Sequence, residues 1–387
     1  MTEAATVAER YLELGLRLGR HVDGLVDAYY GPAALAERVR AEEPVEAARL
    51  AGDADALLAD LEDGWLSDQV EALAAYARVL AGEPISYVDE VERCYRVRPE
   101  RTPVAVYEEA HARLAELLPG DGPLADRYLA WRDTQLVDGE TALGLLRELL
   151  PFLRERTRTL VELPAGECAD LEGVRDEPWW AFNYYLGNLR SRVVLNTDVP
   201  TSAYETIHLA AHEVYPGHHT EHSLKERRFV LSGLAVEEAI QLVCTPQAVL
   251  SEGIAETGAE TILDEAAWHE VFALVQRRAP DADLALARDI ARVRETLRTV
   301  GLDAALLVNE DGAPVEDAIS FVARWALRTR DQAAQNVSFV TDPTWRAYAI
   351  TYSAGRDLCR AYVAGDPARF ARLLTEHVRI GELLAAA

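Results

Sequence analysis

Lysine is almost absent from this 387-residue chain, and its cysteines are few and scattered. Lys225 is the only lysine, and the four cysteines are Cys94, Cys168, Cys244 and Cys359. None of them forms a C-x-x-C pair, so the sequence has no pattern typical of a thiolate zinc knuckle or of a disulfide framework. Both a disulfide-stabilised secreted domain and a cysteine-ligated metal site are therefore disfavoured.

The sequence also lacks long apolar segments, and its basic residues do not balance its acids. No run of about 18 apolar residues occurs, so no transmembrane helix is predicted. The N-terminal segment MTEAATVAERYLELG has no apolar core of a signal peptide. The formal net charge is −26, which disfavours nucleic acids and anionic membranes as partners. We expect a cytoplasmic protein, and the sequence leaves its oligomeric state open.

Helical periodicity dominates most of the chain. In residues 7–30 apolar side chains recur at three- and four-residue steps, which predicts one helix that ends before the Gly-Pro pair at 31–32. No linker is long or polar enough to separate independent units. We therefore expect a single, mainly α-helical domain over residues 1–387, with a helical N-terminal part, 1–160, and a part that carries the functional site, 161–387.

One segment departs from the helical pattern. WWAFNYYLGNLRSRVVLNTDVP, residues 179–200, is rich in aromatic and β-branched side chains and has Gly187 and Asn188 near its middle. Such a segment predicts a β-hairpin. The hairpin would come just before the histidine-rich part of the sequence.

That part is AAHEVYPGHHTEH, residues 210–222, which holds four of the nine histidines. His212 and Glu213 begin like the zinc-peptidase signature H-E-x-x-H, in which two histidines four residues apart lie on one helix face and share a zinc ion. Proline occupies the position where the second histidine belongs. His218 is six residues from His212, which on an unbroken helix means about 120° around the axis and about 9 Å along it.

Pro216 and Gly217 predict a break in the helix at this point. Pro216 cannot donate a hydrogen bond to the carbonyl of His212, and its ring clashes with that turn. Gly217 tolerates nearly any backbone dihedral angles. We therefore expect irregular backbone at 215–217 that turns His218 back toward His212.

Several pairs of ligands remain open after this argument. His218 is the first choice as the partner of His212, and His219 is the second. Two other pairs are spaced i, i+4 on one helix face, namely His208 with His212 and His218 with His222. A group of histidines around a Pro-Gly pair is also compatible with a solvated surface turn.

An acidic residue on a neighbouring helix is the expected third ligand. Thr245 and Pro246 predict the start of a helix that contains LSEGIAETGAE, and Glu252 in that helix is the best candidate. Gly253 beside it permits close packing, and Glu256, one turn later, is placed to orient a ligand histidine. The alternative is that Glu252 is an ordinary solvated helix residue.

The segments HEVYPGHH and EGIAE, with NTD upstream of both, resemble the largely bacterial family catalogued as domain of unknown function 885. Its members typically carry H-E-x-x-P-G-H-H, an E-G-W-A-type segment and a Tyr-x-x-Gly segment. Ile254 replaces the usual tryptophan here, and AITYSAGRDL, with Tyr352, matches the last segment. The resemblance runs from about Arg190 to Tyr352. It implies a large helical zincin-like fold, related to gluzincin metallopeptidases, and a metal-dependent hydrolase.

With this resemblance, the sequence predicts a zinc-dependent peptidase or amidase that acts on a peptide or small amide. Zn²⁺ is expected on His212, His218 and Glu252, which are the preferred candidates among the possible ligands. Glu213 is the expected general base toward a metal-activated water. We further expect Tyr352 to donate to the developing oxyanion, and Arg356 to bind a substrate carboxylate. The strand RVVLNTD is expected to be an edge that holds extended substrate by backbone hydrogen bonds.

Each of these assignments has an alternative. Tyr352 fits a core tyrosine equally well, and Arg356 fits an ion pair within or between helices. The whole chain could be a non-catalytic relative that binds a metal or a peptide, although an intact Glu213 argues for catalysis because binding alone needs no base. A metal-dependent hydrolase of a non-peptide bond is a third hypothesis.

Overall fold

The computed structural model describes residues 6–177 and 179–386, and most of them are α-helical. Among these residues, no helix combines the length and the apolar character needed to cross a bilayer. The helices before the sheet are α1 (Val7–Leu18), α2 (Ala33–Ala41), α3 (Ala47–Leu58), α4 (Trp65–Leu80), α5 (Tyr87–Tyr95), α6 (Val104–Leu117), α7 (Leu124–Thr134) and α8 (Gly139–Arg158). The helices after the sheet are α9 (Glu205–Glu213), α10 (His218–Lys225), α11 (Pro246–Ile262), α12 (Glu265–Gln276), α13 (Leu284–Arg294), α14 (Val300–Asn309), α15 (Val315–Trp325), α16 (Arg330–Thr341), α17 (Arg356–Val363), α18 (Pro367–Thr375) and α19 (Ile380–Ala386).

Short strands of the described residues form three small sheets within this helical framework. The strands are β1 (Val26–Tyr29), β2 (Leu136–Val137), β3 (Cys168–Val174), β4 (Ala181–Gly187), β5 (Arg190–Asn196), β6 (Thr201–Ser202) and β7 (Ile240–Leu242). β1 pairs with β7, and β2 pairs with β6, both antiparallel. The third sheet has the order β3-β5-β4, in which β3 is parallel and β4 antiparallel to β5. The expected mainly α-helical fold with a small sheet before α9 is confirmed.

α11 lies at the centre of the fold and begins where Thr245 and Pro246 predict it. It packs against α5, α9 and α17, and against the π-helical turn at 351–355. Gly253 makes the last contact possible, because a Cβ atom there would lie 2.3 Å from the carbonyl oxygen of Gly355. The close packing expected at Gly253 is therefore present, and it brings Glu252 toward the ends of α9 and α10.

The predicted hairpin is present as β4 and β5, but the expectation that RVVLNTD forms an edge strand is wrong. Residues 192–196 of this segment lie in β5, which is the central strand of its sheet because β3 pairs with its other side. The backbone groups of β5 are therefore used on both edges. β3 and β4 are the two edge strands, and residues 181–183 of β4 line the cavity described below.

The single helix predicted for residues 7–30 is also wrong in its second half. α1 ends at Leu18, the chain turns through Gly24, which has a φ of 82°, and β1 follows at Val26–Tyr29. Valine and alanine at alternate positions of β1 pack on the core while the strand pairs with β7. The pairing of β1 with β7, which is distant in the sequence, outweighs the local helical pattern.

Candidate metal centre

The helix that carries His212 ends directly after it. α9 ends at Glu213, the backbone is irregular up to Gly217, and α10 begins at His218. The turn requires glycine, because a Cβ atom on Gly217 would lie 1.8 Å from the carbonyl oxygen of His212. The predicted break at 215–217 is confirmed, and it turns His218 to face His212.

Three side chains converge at this break. The Nε2 atoms of His212 and His218 are 3.2 Å apart. Carboxylate oxygens of Glu252 lie 3.6 Å from Nε2 of His212 and 3.8 Å from Nε2 of His218. Ligands about 2.0–2.1 Å from a tetrahedral zinc ion are separated from one another by about 3.4 Å. The three groups therefore have the spacing of a metal ligand set.

A second group that could hold a metal consists of His208, His212 and Glu256. Glu256 lies 3.6 Å from Nε2 of His208 and 3.7 Å from Nδ1 of His212. Its charge is already balanced by an ion pair with Arg298, whereas among the described residues the only basic side chains within ion-pair distance of Glu252 are His212 and His218. The first group therefore suits a metal ion better, and Glu256 faces the outer nitrogen of His212.

A hydrogen-bonded chain behind His218 fixes the orientation of its ring. Ser251 donates its hydroxyl proton to Glu221 over 2.6 Å, and the same Oγ lies 3.1 Å from Nδ1 of His218. Because the hydroxyl proton is directed at Glu221, Ser251 accepts from Nδ1–H, which leaves Nε2 of His218 as the metal-binding nitrogen. Lys225 donates to the other oxygen of Glu221 over 2.6 Å, and both of these residues are buried.

His219, the second choice as a ligand, faces away from this point. Its Nε2 lies 2.8 Å from Oε2 of Glu167, and its Nδ1 lies 2.8 Å from Oγ of Ser191 in β5. Tyr215 donates to the same carboxylate over 2.6 Å. His219 is completely buried, and both of its nitrogens have protein partners, so it joins α10 to the sheet.

Glu213 lines a cavity of about 490 Å³ that is shared with His212, His218 and Glu252. Its backbone carbonyl accepts a hydrogen bond from the side chain of Asn183 in β4. Burial raises the pKa of Glu213 to about 8, with smaller contributions from the negative charges of Asp27 and Glu256. A carboxylate with high affinity for a proton thus lies beside the three converging groups.

Burial also shifts the pKa values of the converging groups themselves. It lowers the pKa of His212 and of His218, and it raises that of Glu252. Neutral histidine is the form that binds a metal. Tyr348 donates to Glu252 over 2.7 Å, but one buried oxygen of that carboxylate accepts no hydrogen bond within the described part of the chain. A divalent cation would satisfy it.

Of Tyr352 and Arg356, which the sequence predicts to contact the substrate, only Tyr352 lines the cavity. The turn at 351–355 places Tyr352 in the lining of the 490 Å³ cavity. Arg356 is not in that lining. Its guanidinium group lies 3.0 Å from Asp357 and 3.8 Å from Glu295. These ion pairs give no support to a contact between Arg356 and a substrate carboxylate.

His222 and two residues that the sequence analysis missed complete the surroundings. His222 lines the cavity and its ring stacks on His218 at 6.1 Å, but it belongs to neither group of converging side chains. Tyr348 and Asp27 also line the cavity. No sequence motif marks Tyr348, and Asp27 lies in the segment whose periodicity predicts helix.

No family model matches the chain, and no curated protein matches it. Among solved structures, the chain is similar to the "putative lipoprotein" from Colwellia psychrerythraea, with a TM-score of 0.55 and 15% sequence identity. The similarity covers 91% of this chain and 58% of that protein, so the chain spans less than two thirds of its length. At this level of identity the similarity concerns the fold alone.

Proposed function

We propose that this protein is a zinc-dependent hydrolase, specifically a peptidase or amidase. We also propose that it is a relative of the family catalogued as domain of unknown function 885. The observation that carries the proposal is the convergence of His212, His218 and Glu252 beside the buried carboxylate of Glu213. Two imidazoles and one carboxylate are a common ligand set of catalytic zinc, which keeps its fourth position for water or substrate.

Zn²⁺ suits nitrogen and oxygen ligands in tetrahedral geometry, and when bound it would polarise a substrate carbonyl and lower the pKa of a water molecule to near 7. Glu213 is the group of this chain that accepts the proton of that water. Its burial favours the task, because a pKa near the working pH makes a carboxylate an effective proton acceptor. Glu213 can then return the proton to the leaving amine.

Tyr352 is the proposed hydrogen-bond donor to the developing negative charge on the carbonyl oxygen. Support comes from its position in the cavity lining and from its neighbour Tyr348, whose ring centroid is 5.5 Å away. Tyr348 donates its own hydroxyl proton in a hydrogen bond to Glu252. It therefore positions a ligand, and Tyr352 is the phenol left to face a substrate.

Strand β4 is the proposed support for an extended substrate. It is one of the two edge strands of its sheet, and its residues Ala181, Phe182 and Asn183 line the cavity. An extended peptide adds to such an edge through backbone hydrogen bonds. This replaces the role expected for β5. The proposed compartment is the cytoplasm, since the four cysteines are free and unpaired thiols are typical of reducing surroundings.

The test of this proposal combines metal analysis with a substrate panel. We expect one zinc ion per chain after expression with added zinc, and hydrolysis of members of a panel of dipeptides and aminoacyl amides. Glu213→Gln should retain zinc and lose about 10²–10⁴-fold or more in rate, because the amide accepts no proton. The matched control is Glu270→Gln, an exposed position on α12, which should leave the rate unchanged.

Two results would contradict the proposal. One is the absence of a stoichiometric divalent metal in purified, zinc-supplemented protein. The other is hydrolysis by Glu213→Gln at the rate of the parent, on a substrate whose cleavage by the parent has been verified.

A further inference from the structure

The cavity beside the converging residues contains a carboxylate that the proposed mechanism does not use. Asp27, in β1, lines the cavity of about 490 Å³ together with Glu213 and Glu252. Burial raises the pKa of Asp27 to about 6, and no hydrogen bond opposes this shift. Within residues 6–177 and 179–386, the carboxylate of Asp27 has no ion-pair partner.

The lining of this cavity is poor in positive charge. No arginine or lysine is among the described residues that line it. Three carboxylates line it, those of Asp27, Glu213 and Glu252. Glu252 belongs to the proposed ligand set, and Glu213 is the proposed proton acceptor. Asp27 is the carboxylate of this lining that has neither role.

Aromatic rings form much of the rest of the wall. They belong to Trp179, Phe182, Phe339, Trp345, Tyr348 and Tyr352. The faces of aromatic rings attract cations, and this attraction adds to that of a carboxylate when both surround a group removed from water. A cavity with aromatic walls and one unpaired acid therefore favours an organic cation over a neutral or an anionic group.

We propose that Asp27 binds a protonated amine of the substrate, so that this protein takes substrates with an alkylammonium group close to the bond that is cleaved. The inference rests on the proposed function for the identity of that bond, and on the cavity alone for the cation. A volume of about 490 Å³ lies within the range of small-ligand sites, about 300–1,000 Å³. A cavity of this size holds only a short part of a substrate. An amine bound in it therefore lies near the metal centre.

A second metal ion is a weaker occupant for this position. Two groups of side chains in the described part of the chain could hold a metal. They are His212 with His218 and Glu252, and His208 with His212 and Glu256, and Asp27 belongs to neither of them. A single carboxylate without further ligands holds a metal poorly, whereas it pairs well with an ammonium group through a charge-assisted hydrogen bond.

The first experiment measures binding without chemistry. The probes are 2-phenylethylamine, which is a cation at pH 7, and 2-phenylethanol, which has the same shape without the charge. Calorimetry on the zinc-loaded parent should show that the amine binds about 10-fold or more tightly than the alcohol. Asp27→Asn should lose this preference. Asp23→Asn, an exposed position in the turn before β1, should keep it.

Two outcomes of this experiment would overturn the inference. In the first, the parent binds the amine and the alcohol equally. In the second, Asp27→Asn keeps the preference, which would mean that zinc or the aromatic walls alone hold the amine. Because no bond is cleaved, the result stands even if the parent hydrolyses nothing, and in that case it is the proposed function that fails.

The second experiment identifies the source of the cation. Phe-Ala and N-acetyl-Phe-Ala differ in the free α-amino group, and N-acetyl-Lys-Ala supplies a side-chain amine instead. On substrates with the recognised amine, Asp27→Asn should raise KM about 10-fold or more with a smaller change in kcat. On N-acetyl-Phe-Ala the substitution should change neither. Equal losses on charged and uncharged substrates would contradict the role of Asp27.

Discussion

His218 and His219 are neighbours in the sequence, and the two sides of α10 on which they lie differ in almost every respect. On one side, Nε2 of His218 lies 3.2 Å from Nε2 of His212, in a cavity. On the other side, His219 is completely buried between Glu167 and Ser191, with 2.8 Å from a ring nitrogen to each.

The difference shows that partners, and not residue type or motif position, decide what a histidine does. One nitrogen of His218 is held by Ser251, and the other points toward Glu252. This is the arrangement by which proteins present a metal ligand. Both nitrogens of His219 are used by the protein itself. His218 is therefore one of the converging side chains, and His219 stabilises the packing of α10 against the sheet that lies behind them.

Gly217→Ala should have the largest effect, because it acts on both sides of α10 at once. The added Cβ atom would lie 1.8 Å from the carbonyl oxygen of His212 and 2.6 Å from that of Ala211, so the turn must change. We expect loss of stoichiometric zinc and a decrease of more than about 3 kcal/mol in the free energy of unfolding, as for severe single substitutions. Metal analysis and urea unfolding measure the two effects.

The control for this substitution is Gly52→Ala in α3, where a Cβ atom meets nothing within 4 Å. There alanine should stabilise the helix by about 0.5–1 kcal/mol. If Gly217→Ala binds zinc like the parent, the turn does not need glycine, and the account of the helix break is wrong.

His219→Ala should affect stability and leave zinc binding intact. The substitution opens a cavity and removes one partner of the buried carboxylate of Glu167, which keeps Tyr215 and Arg154. We expect the free energy of unfolding to fall by about 3 kcal/mol, as measured by urea unfolding of the metal-free protein. His269→Ala, at an exposed position of α12, should change it little. Loss of zinc without loss of stability would reverse the assignment.

His218→Ala should give the opposite result. Loss of one of three protein ligands should weaken zinc binding by more than about 100-fold, since loss of outer partners alone costs about 10–100-fold. The unfolding free energy of the metal-free protein should change by less than that of His219→Ala, because His218 borders a cavity. Competition with a chelator measures the affinity. Equal zinc affinity in His218→Ala and the parent would remove this residue from the ligand set.

Lowering the pH should reduce the free energy of unfolding through Glu167, which lies on the His219 side of α10. Burial raises the pKa of Glu167, but hydrogen bonds from His219, Tyr215 and Arg154 outweigh it and lower the pKa to about 2. A free glutamate has a pKa of about 4.3. The carboxylate therefore adds about 2–3 kcal/mol of stability above pH 4.3, which is lost as the pH falls toward 2. Glu167→Gln should flatten unfolding free energy against pH in this window, and an unchanged slope would contradict it.

The sequence carried enough information for the break in the helix and for the residues that meet there. Pro216 and Gly217 exclude a continuous helix, and helical geometry then favours a break that brings His218 to His212. The start of α11 follows from Thr245 and Pro246 by local chemistry alone. These features could be predicted because each depends on residues a few positions apart.

The parts that could not be predicted depend on contacts between distant segments. β1 forms because it pairs with β7, and the sequence of residues 26–29 is equally compatible with helix. The position of β5 at the centre of its sheet depends on β3, which has no clear strand pattern. Asp27 was missed for the same reason, since its place in the cavity follows from the pairing of β1.

Ser251→Ala should have the smallest of these effects, and it tests how His218 is held. The substitution removes the hydroxyl group between Nδ1 of His218 and Glu221 and changes little volume. Without it, the imidazole can present either nitrogen to the cavity, so we expect zinc affinity to fall by about 10–100-fold. Ser251→Thr keeps the hydroxyl group and should recover most of the affinity if the added methyl group fits. Ser232→Ala, on the exposed turn after α10, is the matched control. An affinity equal to that of the parent in Ser251→Ala would mean that packing alone orients His218, and the chain from Lys225 through Glu221 would then serve only stability.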